Sequence, residues 1–468
     1  MSVQNVKTKS LDKDMKKLLT SIVAAIAALM GWSQQPTTTV SHPQWSRSAV
    51  IYEVNLRQYT NEGTLRAFQA HLPRLKRLGV DILWFMPIHP ISELNRKGEL
   101  GSYYAVRDYK GVNPEFGTFA DFKAVVRAAH ALGMKVIIDW VPNHSGCDNA
   151  WVTEHPDWYA RNEQGEMYGP FDWTDVYKFD YSNPEMRHAM IDALQFWLRE
   201  ADIDGFRCDV AGQVPVDFWD ECRPALESVK KDIFMLAEAT EPELMAHTFD
   251  MGYNWPMKDL FSSIAATQGQ YTFADAQGNV RQFDEAHAAD IYKLLDEQAA
   301  AYPGDSFLMN MITNHDLNSW EGTEFERLGK LQQAFAVLTF TLPGMPLIYT
   351  GQEVGLDRAL EFFKKDTPPT WGSNPKVSNF YQALCSLRHS FPELSCGTQG
   401  ATMEILPTAS QDVIAFRRGE IVVIVNLSAE EQKLFNEKPR IGGMSEFFTG
   451  ATEIPDTLPG GGYLVFNK

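Results

Sequence analysis

A parallel α/β fold built from eight strand-and-helix units is what this 468-residue sequence predicts, on three observations. Strand-like and helix-like periods alternate from Ala49 to about Leu394, as a parallel sheet with crossover helices requires. Eight apolar strand candidates can be counted in that span. Four of them end in chemically active side chains, and C-terminal strand ends are where barrel and open α/β enzymes place their sites. On these grounds a closed (β/α)8 barrel and an open doubly wound sheet both fit.

The strand candidates run in order. Ala49 to Val54 is the first and Asp81 to Met86 the second; Lys135 to Val141 is the third and leads into Pro142-Asn143-His144. The fourth, Gly205 to Ala211, contains Arg207 and Asp209, and the fifth, Ile233 to Ala237, ends in Glu238. Met251 to Trp255 is the sixth, and the seventh, Phe307 to Thr313, ends in Asn314-His315-Asp316. Met345 to Tyr349 completes the set. Amphipathic helices are expected at Leu65 to Leu78, Phe119 to Leu132 and Met186 to Ala201. Residues 145–183 form a long Trp-, Asp-, Tyr- and Gly-rich stretch without helical period, and loops of that length inside a compact domain are usually functional. From Cys396 the pattern turns to short β-rich runs, such as Val413 to Phe416 and Ile421 to Val425, which predict a C-terminal antiparallel β-sandwich over residues 395–468.

The N-terminal residues read differently. Lys16-Lys17 followed by the apolar run Leu18 to Met30 has the form of a secretory signal peptide, expected over residues 1–33 with Met15 as an alternative start. The run is too short for a comfortable transmembrane helix. Residues 34–48 would then link to the barrel, residues 49–394, and the protein would be exported to the periplasm or beyond. A net charge of −18 argues against a nucleic acid or an anionic membrane as partner. The five cysteines form no C-x-x-C pair and no metal-ligand spacing, so no disulfide framework is expected.

Arg207 and Asp209 lie two residues apart on a strand and therefore share one face, while Phe206, Cys208 and Val210 take the other. A cation so placed can orient a carboxylate and favour its ionised form. A lone R-x-D is more often a structural salt bridge, but the ends of the other three strands add Asp139, His144, Glu238, His315 and Asp316.

At these residues the chain resembles the α-amylase family of retaining glycoside hydrolases. The resemblance rests on Asp139-x-x-x-Asn143-His144, Gly205-Phe206-Arg207-x-Asp209, Glu238 within Leu-Ala-Glu-Ala, and Asn314-His315-Asp316, in the family's order, and extends from about Tyr52 to the C-terminus. It selects the barrel, with residues 145–183 as a shortened insertion after the third strand. It implies Asp209 as nucleophile, Glu238 as general acid/base and Asp316 as a third carboxylate supporting the distorted sugar. Repulsion among the three would keep Glu238 protonated while Arg207 holds Asp209 ionised. His144 and His315 would donate hydrogen bonds to sugar hydroxyls, and Tyr104 would stack on the reacting ring. Arg207 completes that substrate-binding group, with Asp139 and Asn143 as structural support.

No cofactor is required by this chemistry. Many relatives hold a structural calcium beside the insertion, but Lys178 stands where one carboxylate ligand would, and an ammonium there repels the ion. Asp175 or Asp180 remain alternative ligands. The resemblance thus implies an α-glucan substrate cleaved at α-1,4 bonds. An α-1,6- or pullulan-cleaving hydrolase, a transglycosylase and a catalytically inactive glucan-binding protein are the competing readings. No protein partner is indicated.

Overall fold

The computed structural model describes residues 38–274 and 278–468; the expected signal peptide lies outside them. Eight parallel strands close into a barrel: β1 (Ile51–Val54), β2 (Ile82–Phe85), β3 (Lys135–Trp140), β4 (Gly205–Cys208), β5 (Phe234–Ala237), β6 (Met251–Tyr253), β7 (Phe307–Asn310) and β8 (Met345–Tyr349). Around the barrel they follow in sequence, and β1 pairs with both β2 and β8, with Ile51 opposite Ile82 and Leu347. The closed barrel replaces the open-sheet alternative.

Strand alternation divides the core in two. Ile51, Ile82, Trp84, Ile137, Phe234, Leu236, Met251, Phe307, Met309, Met345 and Leu347 fill the barrel interior. Their neighbours, including Tyr52, Leu83, Phe85, Val136, Ile138, Phe206 and Met235, point outward into the layer packed by the helices. The inward series becomes polar at its C-terminal end, where Glu53, Asp139 and Arg207 continue the rows begun by Ile51, Ile137 and Gly205. The apolar layers below therefore form the floor of a polar mouth. Gly205 is fixed by space: at φ +149°, a Cβ would stand 1.8 Å from the Phe234 carbonyl oxygen.

The helix Phe119–Ala131 starts in a capping box made by Thr118 and Asp121, and buries Phe122, Val125, Val126 and Ala129 at helical spacing. The single helix expected at Leu65 to Leu78 is two, Leu65–Gln69 and Leu72–Leu78. Pro73 has no N–H to continue the first helix, but near a helix start it leaves no bond unmade, so the chain restarts there.

Residues 145–183 carry local structure of their own. His144–Gly146 pairs antiparallel with Val176–Lys178, and Trp151, Trp158, Tyr159 and Phe179 form an aromatic cluster between. At the C-terminus β9 (Met403–Ile405), β10 (Val413–Arg418), β11 (Ile421–Asn426), β12 (Ser445–Glu446) and β13 (Tyr463–Asn467) form an antiparallel sheet in the order β9-β10-β11-β13-β12. Ile414, Phe416, Val423 and Val465 face the barrel helices, while Val413, Ala415, Ile424 and Phe466 face a two-stranded ribbon, Gln432–Lys433 with Thr457–Leu458. The sandwich is thus unequal, five strands against two. All five cysteines are free and buried. Among the described residues no helix is long and apolar enough to cross a membrane.

Candidate active site

The C-terminal mouth of the barrel opens into a pocket of about 520 Å³, lined by Tyr104, His144, Asp209, Glu238, His315 and Asp316 among others. Six of the nine residues singled out in the sequence thus share one cavity. Arg207, Asp139 and Asn143 lie beneath or behind it, with exposures of 0%, 0% and 1%.

Arg207 organises the floor. Its Nη1 donates to Asp139 Oδ1 at 2.8 Å and to Asp209 Oδ1 at 3.0 Å, and its Nε donates to the Tyr253 hydroxyl at 3.2 Å. Nη2 lies 2.9 Å from Glu238 Oε2 without hydrogen-bond alignment, so that contact is an ion pair only. The guanidinium carbon sits 5.1 Å from the Trp84 ring and 5.5 Å from the Tyr253 ring. Grouping Arg207 with the sugar-contacting residues is therefore corrected: wholly buried, it acts through the carboxylates it holds. Asp139 also accepts from Tyr104 Oη at 3.1 Å and from Trp84 Nε1 at 3.3 Å.

One cation faces three carboxylates in a buried setting, where each unpaired ion costs several kcal/mol. It cannot offset all three. Burial pushes the Asp139 carboxyl up to about 6 against the pull of Arg207. Burial first, and the charge of Glu238 second, push Asp209 well above the ordinary carboxylate range. The expectation that Arg207 holds Asp209 ionised is corrected accordingly.

Val210, next to Asp209, holds a left-handed backbone with φ +36°, rare for a β-branched residue and costing about 1–3 kcal/mol. That conformation aims its N–H at Glu238 Oε2, 2.8 Å away. Motif reading names Asp209 but gives no sign of the strain beside it.

His144 is 1% exposed, and its Nε2 has no hydrogen-bond partner although the residue lines the pocket. Burial lowers its pKa to about 3, so the ring is neutral at working pH. Asn143 supports it, with Nδ2 3.5 Å from His144 Nδ1, while the Asn143 carbonyl accepts from Phe179 N–H.

His315 differs from its expected role. Its Nε2 already meets the Tyr104 hydroxyl at 2.7 Å and lies 3.3 Å from Asp316 Oδ2, while Nδ1 meets Glu53 Oε1 at 2.5 Å. It aligns Tyr104 and Asp316 instead of offering a free donor. Tyr104 stacks against it at 5.5 Å and 22°. Burial alone would lower the His315 pKa, but the charges of Asp316 and Glu53 outweigh it and raise the value to about 9.

Glu53 is a site residue that motif reading missed, because nothing near it in the sequence marks it. It is fully buried, and its Oε2 lacks a partner. Glu53→Gln is expected to drop the His315 pKa from about 9 toward the ordinary value of about 6.5, read by an NMR pH titration of the ring. Because the folded value is the raised one, the stability this imidazolium contributes is complete below pH ~6.5 and disappears as pH rises through about 9. An unmoved His315 titration in the variant would refute the coupling.

The carboxylates offered as calcium ligands beside the insertion have partners of their own. Asp175 pairs with Lys97 at 3.1 Å, Asp180 accepts from Ser182 N–H at 2.9 Å, and Lys178 pairs with His144 in the ribbon. Among the described residues, no group of three or more His, Cys, Asp or Glu side chains is arranged to hold a metal ion.

Residues 51–173 and 153–368 match the model of the alpha-amylase catalytic domain. A crystal structure of an alpha-amylase from Lactobacillus plantarum superposes with a TM-score of 0.76 at 30% identity, covering 91% of this chain and 99% of that one. Alpha-amylase MalA of Haloarcula japonica is 28% identical over 83% of this chain, and the maltogenic alpha-amylase of Bacillus acidopullulyticus is 30% identical over 63%. The chain spans 56% and 50% of the length of those two relatives.

Proposed function

This chain belongs to the α-amylase family of glycoside hydrolases, and from that premise we propose that it hydrolyses α-1,4-glucosidic bonds of starch or malto-oligosaccharides with retention of configuration. The observation that carries the reading is the placement of Asp209 and Glu238 against the same buried guanidinium, at the ends of the adjacent strands β4 and β5, with both facing one pocket.

Retaining cleavage needs one carboxylate and one carboxylic acid on either side of the glycosidic bond. In this reading Asp209 is the carboxylate and Glu238 the carboxylic acid beside the leaving oxygen. As Asp209 attacks the anomeric carbon, the C–O bond to the leaving sugar breaks and Glu238 gives its proton to that oxygen. Glu238, now a carboxylate, takes a proton from water, whose oxygen displaces Asp209 and frees the sugar. Asp316, held by the His315 imidazolium, faces the same ring, where its negative charge favours the positive charge developing in the transition state. The unpartnered Nε2 of His144 takes a sugar hydroxyl.

The test is release of reducing ends from soluble starch and from pullulan by the purified full chain, with products resolved by size. Starch is expected to give short maltodextrins at a higher rate than pullulan is cleaved. Faster cleavage of pullulan would move the specificity to α-1,6 or pullulan bonds. Absence of new reducing ends from both would overturn the hydrolase.

A further inference from the structure

Among the described residues, six large hydrophobic side chains are substantially exposed, and Trp320 is the one of them that lines the catalytic pocket. Trp320 is 52% exposed, on the turn Leu317–Glu321 that directly follows Asp316. A residue of that size left in water beside a polar pocket suggests a ligand with an apolar face and a polar rim, as a pyranose has.

The position is built. Trp320 stands 5.4 Å from Phe362 and 6.0 Å from Phe363, and Phe362 lies 6.5 Å from Tyr104 with planes 10° apart. An aromatic ladder therefore runs from the tyrosine at the reacting centre outward to the indole. Asn318, on the same turn, accepts from Leu360 N–H at 2.8 Å and donates to the Arg358 carbonyl at 3.1 Å, which fastens the turn to the loop after β8. The Phe363 carbonyl accepts from Leu100 N–H at 2.8 Å, which fastens that loop to the one after β2.

Barrel order gives the direction. Glu238 and Val210 follow β5 and β4, while Trp320, Phe362, Phe363 and Tyr104 follow β7, β8, β8 and β2, the opposite arc of the mouth. In the proposed reaction, Glu238 protonates the leaving oxygen, so the departing chain lies on its side. The glucosyl units that stay on the enzyme then extend toward the opposite arc.

We propose that Trp320, backed by Phe362 and Phe363, is the platform for the glucosyl ring next to the reacting one on the retained side, and so selects substrates with at least two glucosyl units there. This inference rests on the hydrolase reading. The experiment compares the wild type, Trp320→Ala and Trp320→Phe on 4-nitrophenyl α-glucoside and 4-nitrophenyl α-maltotrioside, scoring nitrophenol release, and measures maltopentaose affinity by calorimetry. In Trp320→Ala the ratio of kcat/KM for the maltotrioside to that for the glucoside is expected to fall about tenfold, with maltopentaose bound about tenfold more weakly, and Trp320→Phe recovers most of both. An unchanged ratio, or equal losses on both glycosides, overturns the platform. A wild type that cleaves neither glycoside overturns the hydrolase reading instead. The platform is then decided by maltopentaose affinity, which must fall in Trp320→Ala and be present in the wild type.

Discussion

Asp209→Asn is expected to lower kcat on starch by about four orders of magnitude or more, with maltopentaose binding retained. The amide matches the carboxylate in shape and can still contact Arg207, but it has no anionic oxygen to bond the anomeric carbon. The same change should leave the fold intact and favour it at alkaline pH. Asp209 has its pKa raised by burial and by the charge of Glu238, so the stability it contributes is complete below about pH 4 and disappears as pH rises through its folded value. An asparagine carries no such penalty, so the melting temperature of the variant relative to wild type should climb with pH. Residual turnover within tenfold of wild type would remove Asp209 from the nucleophile role, and a melting-temperature difference independent of pH would contradict its buried titration.

Arg207→Met is the second large effect, and it acts on fold and chemistry together. It removes the cation that contacts Asp139, Asp209 and Glu238, leaving buried carboxylates without compensation. Breaking a buried ion pair by deleting one partner costs about 3–5 kcal/mol. Here the cost should depend on pH. Asp139 already titrates at about 6 with Arg207 present, and without that cation Asp139 and Asp209 retain protons to still higher pH. Protonated acids need no cation, so the stability deficit in urea melts should be small at pH 5 and large at pH 8. Activity should fall at least a hundredfold at either pH, because Asp209 and Glu238 lose their common anchor. Equal deficits at the two pH values would contradict this account. Arg207→Lys should rescue little, since one ammonium cannot serve separate carboxylates from two fixed nitrogens.

Much of this site is legible in the sequence because it depends on short-range geometry. Side chains two apart on a strand share a face, so spacing alone pairs Arg207 with Asp209, and the ends of four apolar runs name the carboxylates and histidines that the pocket gathers. The aromatic wall is not legible. Trp320, Phe362 and Phe363 sit in connections after β7 and β8, with no periodicity to give their direction. Nor is Glu53, which meets His315 across 262 positions of chain and is marked only as one more residue of an apolar strand.

The strand set, the common face of Arg207 and Asp209 and the carboxylates at four strand ends were determined by the sequence alone, since they follow from apolar runs, a two-residue period and motif spacing. Tertiary structure alone decided that Arg207 is buried beneath the sugar site, that His315 is an imidazolium held by Glu53, and that the upward pKa push falls on Asp209. The physical reason is that burial and charge–charge energies depend on distances across the closed barrel, and those distances are set by how eight strands meet.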